Sequence, residues 1–209
     1  MKQNKSIWVY VLFFGAIWGI LEATLGYALK FLPPLVSGSV MFPIAATLMV
    51  VTYQNTKSKS SMIYVAAIAA SIKAINLFMP GLPPIKTYNP MVAMMLQSVV
   101  LVVFIPLFKK NTVPAAITGI TVLGFSWRAL FLGYIAIYHT FTGFKFPQLV
   151  STSAMVQFVL LLGLIEAGVL GVIGFMRYAL SQRVSFVFKP NTILALSTFI
   201  FAVVLTVFL

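Results

Sequence analysis

Seven stretches of the chain, approximately 7–30, 36–53, 61–80, 90–108, 113–138, 152–177 and 190–209, are apolar and long enough, or nearly so, to cross about 30 Å of hydrocarbon. Nothing else constrains the fold as much. Inside lipid every backbone N–H and C=O needs a partner from the chain itself, and runs of this length supply those partners as helix. Composition agrees: the chain is 61% hydrophobic and 8% charged, with a mean hydropathy of +1.07, against about 25% charged in soluble domains. The expected fold is an all-α integral membrane protein, a bundle of six to seven transmembrane helices. Residues 1–209 form a single transmembrane domain, with a six-helix core over about 5–180 and an additional C-terminal helix over about 190–209.

The second and fourth stretches are short for spans, so tilt or local thinning is expected there. The start, Met-Lys-Gln-Asn-Lys before an apolar run from Ile7, imitates a signal peptide. The run continues past Glu22 to about Leu29, longer than the roughly 7–15 residues of a signal's apolar region, and is read as a retained first span.

Lys and Arg set the orientation. The N-terminus and the even-numbered connections hold Lys2, Lys5, Lys57, Lys59, Lys109, Lys110, Arg177, Arg183 and Lys189; the other side holds Lys30, Lys86 and Lys145. Nine against three places the N-terminus in the cytoplasm of a multi-pass plasma-membrane protein of prokaryotic type, and seven spans put Leu209 outside. The net charge of +12 does not mark a nucleic-acid partner, because the cations sit singly or in pairs between apolar runs and form no basic face.

The outer connections share a pattern: Phe31-Leu32-Pro33-Pro34-Leu35, Gly81-Leu82-Pro83-Pro84-Ile85 and Phe146-Pro147. Pro43 and Pro90 follow the first two, where returning helices could restart, since proline suits a helix's first turn. The layout is three helical hairpins closed on the outside, plus one helix. That last helix carries no charge and reads as peripheral, lipid-facing and outside any chemistry.

Four ionisable residues interrupt the spans: Glu22, Lys73, Arg128 and Glu166. The two acids are the only carboxylate side chains in the chain. A charge near the bilayer centre costs at least about 2.5–3.5 kcal/mol, so each needs a partner, a cavity or a task. Counted from span midpoints, Glu22, Lys73 and Arg128 lie about 3–5 Å to the outer side of the midplane and Glu166 about 2 Å to the inner side. The expectation is one polar pocket enclosed by the first, third, fifth and sixth helices. The alternative is ion pairs that lock the bundle and bind nothing. Asn76, Asn89, Gln97, Trp127 and Gln157 lie nearby in sequence or depth and would orient a small ligand in an apolar cavity. Trp8 reads as an interfacial belt residue.

Small residues recur at four-residue spacing: Gly15, Gly19 and Ala23; Ala66, Ala70 and Ala74; Gly163, Ala167 and Gly171. Such stripes let helices approach closely, within the bundle or against a separate membrane subunit. Catalytic sets are absent: no cysteine, one histidine (His139, at an outer helix end), no Ser-His-Asp arrangement, no H-E-x-x-H, no P-loop. No metal site or cofactor is expected.

The segment Gly15-Ala16-Ile17-Trp18-Gly19-Ile20-Leu21-Glu22-Ala23, together with the Pro-rich outer connections, resembles the substrate-binding S-components of energy-coupling factor transporters. The likeness covers roughly residues 5–180 as a layout; the seventh helix departs from that six-span family. The resemblance implies vitamin or micronutrient uptake, with the outer connections as lids over the ligand. It also implies a transmembrane coupling subunit docked on Gly15, Gly19 and Ala23, and cytoplasmic ATPases. Two other readings fit the same residues: an accessory or assembly subunit of a membrane complex, and a membrane-embedded enzyme acting on a lipid through Glu22 or Glu166.

Overall fold

A computed structural model describes residues 2–31, 37–110, 112–181 and 188–209. The first Pro-rich segment, Leu32 to Leu35, and Arg183 lie outside the described residues, as do the side chains of Lys2, Lys5, Lys30, Lys109, Lys110 and Arg177. Seven helices account for nearly all the rest: α1 (Lys2–Ala28), α2 (Ser37–Thr56), α3 (Ser60–Ala74), α4 (Ile85–Phe104), α5 (Val113–Thr142), a compound α6 and α7 (Thr192–Phe208). The sixth is α-helical over Thr152–Val156, π-helical over Gln157–Leu161 and α-helical again over Leu162–Ser181. No strand occurs among the described residues.

Five helical segments are long and apolar enough to cross a membrane: Ile7–Gly26, Ser60–Phe78, Ile85–Phe108, Val113–Thr142 and Thr152–Met176. The chain is thus a multi-pass membrane protein. Two of the seven expected spans fall short on their own. The second helix is diluted at both ends by polar residues, Ser37-Gly38-Ser39 and Gln54-Asn55-Thr56. The last has 17 residues, about 26 Å of helix against about 30 Å of hydrocarbon.

Local chemistry sets the helix ends. Ser151 and Asn191 cap α6 and α7, their side-chain oxygens accepting from the backbone N–H of Ala154 at 3.1 Å and Leu194 at 2.8 Å. Gly143, at φ 68°, ends α5 in the left-handed conformation that suits glycine, its N–H donating to His139 O at 2.8 Å. Pro43 and Pro90 do not open their helices as expected: α2 starts at Ser37 and α4 at Ile85, and both prolines lie inside. In place of an α-helical N–H, Pro43 offers its ring, so the Ser39 carbonyl loses its usual partner.

The first helix is central and packs against α2, α3 and α7; α3 also packs on α4, α4 on α5, α5 on α6, and α6 on α2. Lipid is as apolar as leucine, so close fit rather than burial from water holds such pairs. The α1–α3 pair shows it. A Cβ at Gly15 would stand 2.6 Å from Ile68 Cβ, and one at Gly19 would stand 2.7 Å from Ile72 Cδ1. This corrects one expectation: the Gly15, Gly19 and Ala23 face is covered by the chain's own helices and buried, so it is not a free coupling surface.

A second correction concerns α7. It is not merely peripheral. One side, with Ile200, Phe201 and Val204, is exposed, while Ala202 is fully buried with Ala16 and Ile72 of α1 and α3. Near the opposite end of α1, Trp8 stacks on Tyr64 at 5.2 Å and both are exposed, as an interfacial belt pair would be.

Candidate functional site

The four intramembrane charges do not meet in one pocket. They form two acid–base pairs at different helix interfaces. Arg128 and Glu166 join α5 to α6; Glu22 and Lys73 join α1 to α3. The physical reason is that each acid finds a base across its nearest helix contact, which neutralises both without a shared cavity.

The Arg128–Glu166 pair is sealed. Arg128 Nη2 donates to Glu166 Oε2 at 2.8 Å, and both side chains are 0% exposed. The other carboxylate oxygen accepts from Trp127 Nε1 at 2.8 Å. Arg128 Nη2 also donates to Ser39 Oγ of α2 at 2.7 Å, and Nη1 to Phe158 O at 3.4 Å. The guanidinium lies 4.7 Å from the Trp127 ring centre and 5.1 Å from that of Phe158, within cation–π reach of both. Only its Nε lacks a hydrogen bond.

Two backbone features make room for this cluster. First, α5 and α6 cross at glycines: a Cβ on Gly124 would stand 2.6 Å from Gly163 O, and one on Gly163 would stand 2.5 Å from Phe125 Cδ1. Second, the π turn changes which carbonyl is spoken for. The Leu162 N–H, which an α-helix would aim at Phe158 O, bonds Gln157 O instead, and Phe158 O accepts from Arg128. A π turn in a helix commonly marks such a special position.

The Glu22–Lys73 pair is looser and open to a cavity. Lys73 Nζ stands 4.0 Å from Glu22 Oε2, with side chains 9% and 15% exposed respectively. Beside them lies a cavity of about 100 Å³, also lined by Ala23, Asn76, Met79, Leu82, Thr206 and Leu209. Asn76 follows Lys73 by less than a turn and lies in the 3₁₀ extension Ile75–Phe78. Its Oδ1 is buried with no hydrogen-bond partner. Met79 and Leu82 come from the Pro-rich connection between α3 and α4, so that segment closes one end of the cavity. Thr206 comes from α7, and its hydroxyl donates only within its own helix, to Ala202 O at 2.8 Å.

The remaining expected site residues sit elsewhere. Asn89 Oδ1 accepts from Tyr134 Oη at 3.3 Å between α4 and α5. Gln97 is buried on α4. Gln157 is exposed on α6, its Nε2 donating to Ser153 Oγ at 3.4 Å. These three belong to neither pair. His139 Nδ1 contacts Phe144 O at 2.8 Å in an exposed turn. Among the described residues no three His, Cys, Asp or Glu side chains converge as a metal site would need.

Ser39, the Phe158 carbonyl, Met79 and Thr206 are site groups that sequence reasoning missed. Comparison with family models, with curated proteins and with solved structures returns no match.

Proposed function

We propose that the chain is a membrane-embedded solute-binding protein that takes a small polar molecule into the cavity between α1, α3 and α7. One observation carries the reading: an acid, a base and an unpartnered amide oxygen line one cavity between otherwise largely apolar helices. Groups so costly to bury are default candidates for a substrate path.

The charge count supports capture from outside, with the α3–α4 connection, Met79 and Leu82 included, on the outer face of a plasma membrane. Three hairpins closed on that face, with α7 as a seventh span, complete the proposed layout. The chain has no cysteine, which makes the orientation directly testable. A single cysteine at Lys86, exposed after the Pro-rich turn, is expected to react with an impermeant maleimide on intact cells, and one at Lys59 only after lysis. The reverse pattern overturns the orientation.

The solute is smaller than a vitamin in this conformation. Sites for drug-sized ligands run to about 300–1,000 Å³, several times the cavity here. A coupling subunit and ATPases, if the chain works with them, would meet surfaces other than the Gly15–Gly19 face. The second reading, an accessory or assembly subunit, draws support from the sealed Arg128–Glu166 cluster, which behaves as a lock.

Thermal unfolding separates these readings. A bound solute stabilises the folded state by mass action. Exhaustive dialysis is expected to lower the midpoint of the purified protein, and a concentrated low-molecular-weight extract of the host cells to restore it. Thr206→Phe fills the cavity without removing an interhelical hydrogen bond, and is expected to respond to neither. A wild-type midpoint indifferent to dialysis and extract would leave the assembly reading in place.

A further inference from the structure

We infer that the π turn of α6 is a register switch held by Arg128, which couples the buried Arg128–Glu166 pair to the outer turn of α6 and the connection that leads into it. The inference stands apart from the α1–α3–α7 cavity and from solute binding.

The argument starts from one carbonyl and two donors. An α-helix would bring the Leu162 N–H to Phe158 O. That N–H bonds Gln157 O instead, one residue further out, and Arg128 Nη1 takes Phe158 O at 3.4 Å. Of the guanidinium's hydrogen bonds this is the longest, since those to Ser39 Oγ and Glu166 Oε2 measure 2.7 and 2.8 Å. It is therefore the first to part when α5 and α6 shift. A carbonyl left without a donor away from water is costly, and the Leu162 N–H is the replacement within the helix itself. Once it moves to Phe158 O, Gln157 O passes to the Leu161 N–H, and the π turn becomes α-helix.

Closing the turn carries each residue on its outer side into the place of the residue before it, a rotation of about 100° with about 1.5 Å of travel. Phe158 then takes the exposed place of Gln157. Its ring, 4% exposed and packed against Trp127 at 6.4 Å and Phe131 at 6.1 Å, turns out toward the bilayer. Water would oppose that exposure strongly; lipid, as apolar as leucine, does not. The outer turn offers little resistance, with Ser153, Val156 and Gln157 exposed and Ala154 and Met155 only half-buried.

Ser39 brings a third helix into the device. Its hydroxyl accepts from Arg128 Nη2 and donates to Leu162 O at 3.5 Å. From α2 it thus touches both the arginine that keeps the turn open and the backbone just beyond it. A displacement of α2 from α6 acts on both, and the outer turn of α6 reports it. Two packings of one segment, selected by a local contact, are a standard form of molecular switch.

The test uses the cysteine-free chain, reconstituted in phosphatidylcholine bilayers with a nitroxide on a single cysteine at Ala154 or Val156. Collision with dissolved oxygen reads how open each site is. With Arg128 and Glu166 in place, Val156 is expected to be the more accessible. In Arg128→Met with Glu166→Gln, which removes both charges, the order is expected to reverse: Ala154 takes the exposed place of Ser153, and Val156 the half-buried place of Met155. An unchanged order in the folded double variant would overturn the proposal, because the turn would then be held by something other than Arg128. Deletion of Leu160 is the second variant and keeps both charges. A π turn holds one residue more than the α-helical turn it replaces, so the shortened chain is expected to fold with the original order at Ala154 and Val156. A deletion protein that does not fold, or whose order reverses, would show that the turn holds no spare residue. That result overturns the switch even where the double variant is too unstable to label.

Discussion

Replacing Arg128 by methionine is expected to lower the stability of the folded bundle by about 3–5 kcal/mol, the usual cost of stripping one partner from a buried ion pair. The guanidinium ties two other helices to α5: it contacts Glu166 and the π-turn carbonyl of Phe158 on α6, and Ser39 on α2. Its loss leaves the Glu166 carboxylate 0% exposed with only the Trp127 indole to meet it. The double variant Arg128→Met with Glu166→Gln removes both charges while a glutamine oxygen still accepts from Trp127 Nε1. It is expected to regain most of the loss, because an apolar or neutral replacement of a whole buried pair is often nearly neutral. Unfolding in mixed micelles measures both. A single variant within about 1 kcal/mol of wild type, the range of exposed pairs, would show that the cluster is not sealed. An equally damaged double variant would show that the cost comes from packing rather than from an orphaned charge.

The glycine crossing of α5 and α6 predicts the next largest effect. In Gly124→Ala the new methyl would stand 2.6 Å from the Gly163 carbonyl oxygen and 3.5 Å from Glu166 Oε1. Backbone cannot rotate away as a side-chain tip can, so the two helices must part, at about 1–3 kcal/mol for such overpacking. The shift would also loosen the Trp127–Glu166–Arg128 bonds, since these span the same interface. Gly168→Ala is the matched control: a Cβ there meets nothing within 4 Å, and helix propensity alone favours alanine by up to about 1 kcal/mol. Opposite signs for the two substitutions are expected in the same unfolding assay. Equal effects would mean that propensity, not the crossing, governs both.

Much of the architecture could be read from the chain because lipid leaves few options. Long apolar runs become helices, whereas the caps at Ser151, Asn191 and Gly143 emerge only in the fold. The partners come from the residues that counting along the spans puts in one layer: Glu22 meets Lys73, and Arg128 meets Glu166. Which acid meets which base was not legible, because pairing depends on helix neighbours, and those are fixed by close contacts such as Gly15 with Ile68 and Gly124 with Gly163. A glycine stripe announces that something approaches. It does not name the helix that does.

The π turn left no trace in the sequence Gln157-Phe158-Val159-Leu160-Leu161, which is as good an α-helix as its neighbours; tertiary demand from Arg128 coincides with the change of register. Pro43 was misread for a related reason. It was placed at a helix start on local chemistry, whereas in the fold it lies within α2, four residues after Ser39. Thr206 escaped notice because α7, with no charge of its own, looked like a helix for lipid alone. Its small face, Ala195 and Ala202, was the available signal, since both are buried.

The most direct test of solute binding is mass spectrometry of the small molecules released by denaturing the protein after gentle purification from its native membrane, beside Thr206→Phe treated identically. The account predicts a polar molecule near one per chain in the wild type and its absence from the filled variant. No such molecule in the wild type, or the same amount in both proteins, would contradict it and leave the Glu22–Lys73 pair a structural contact.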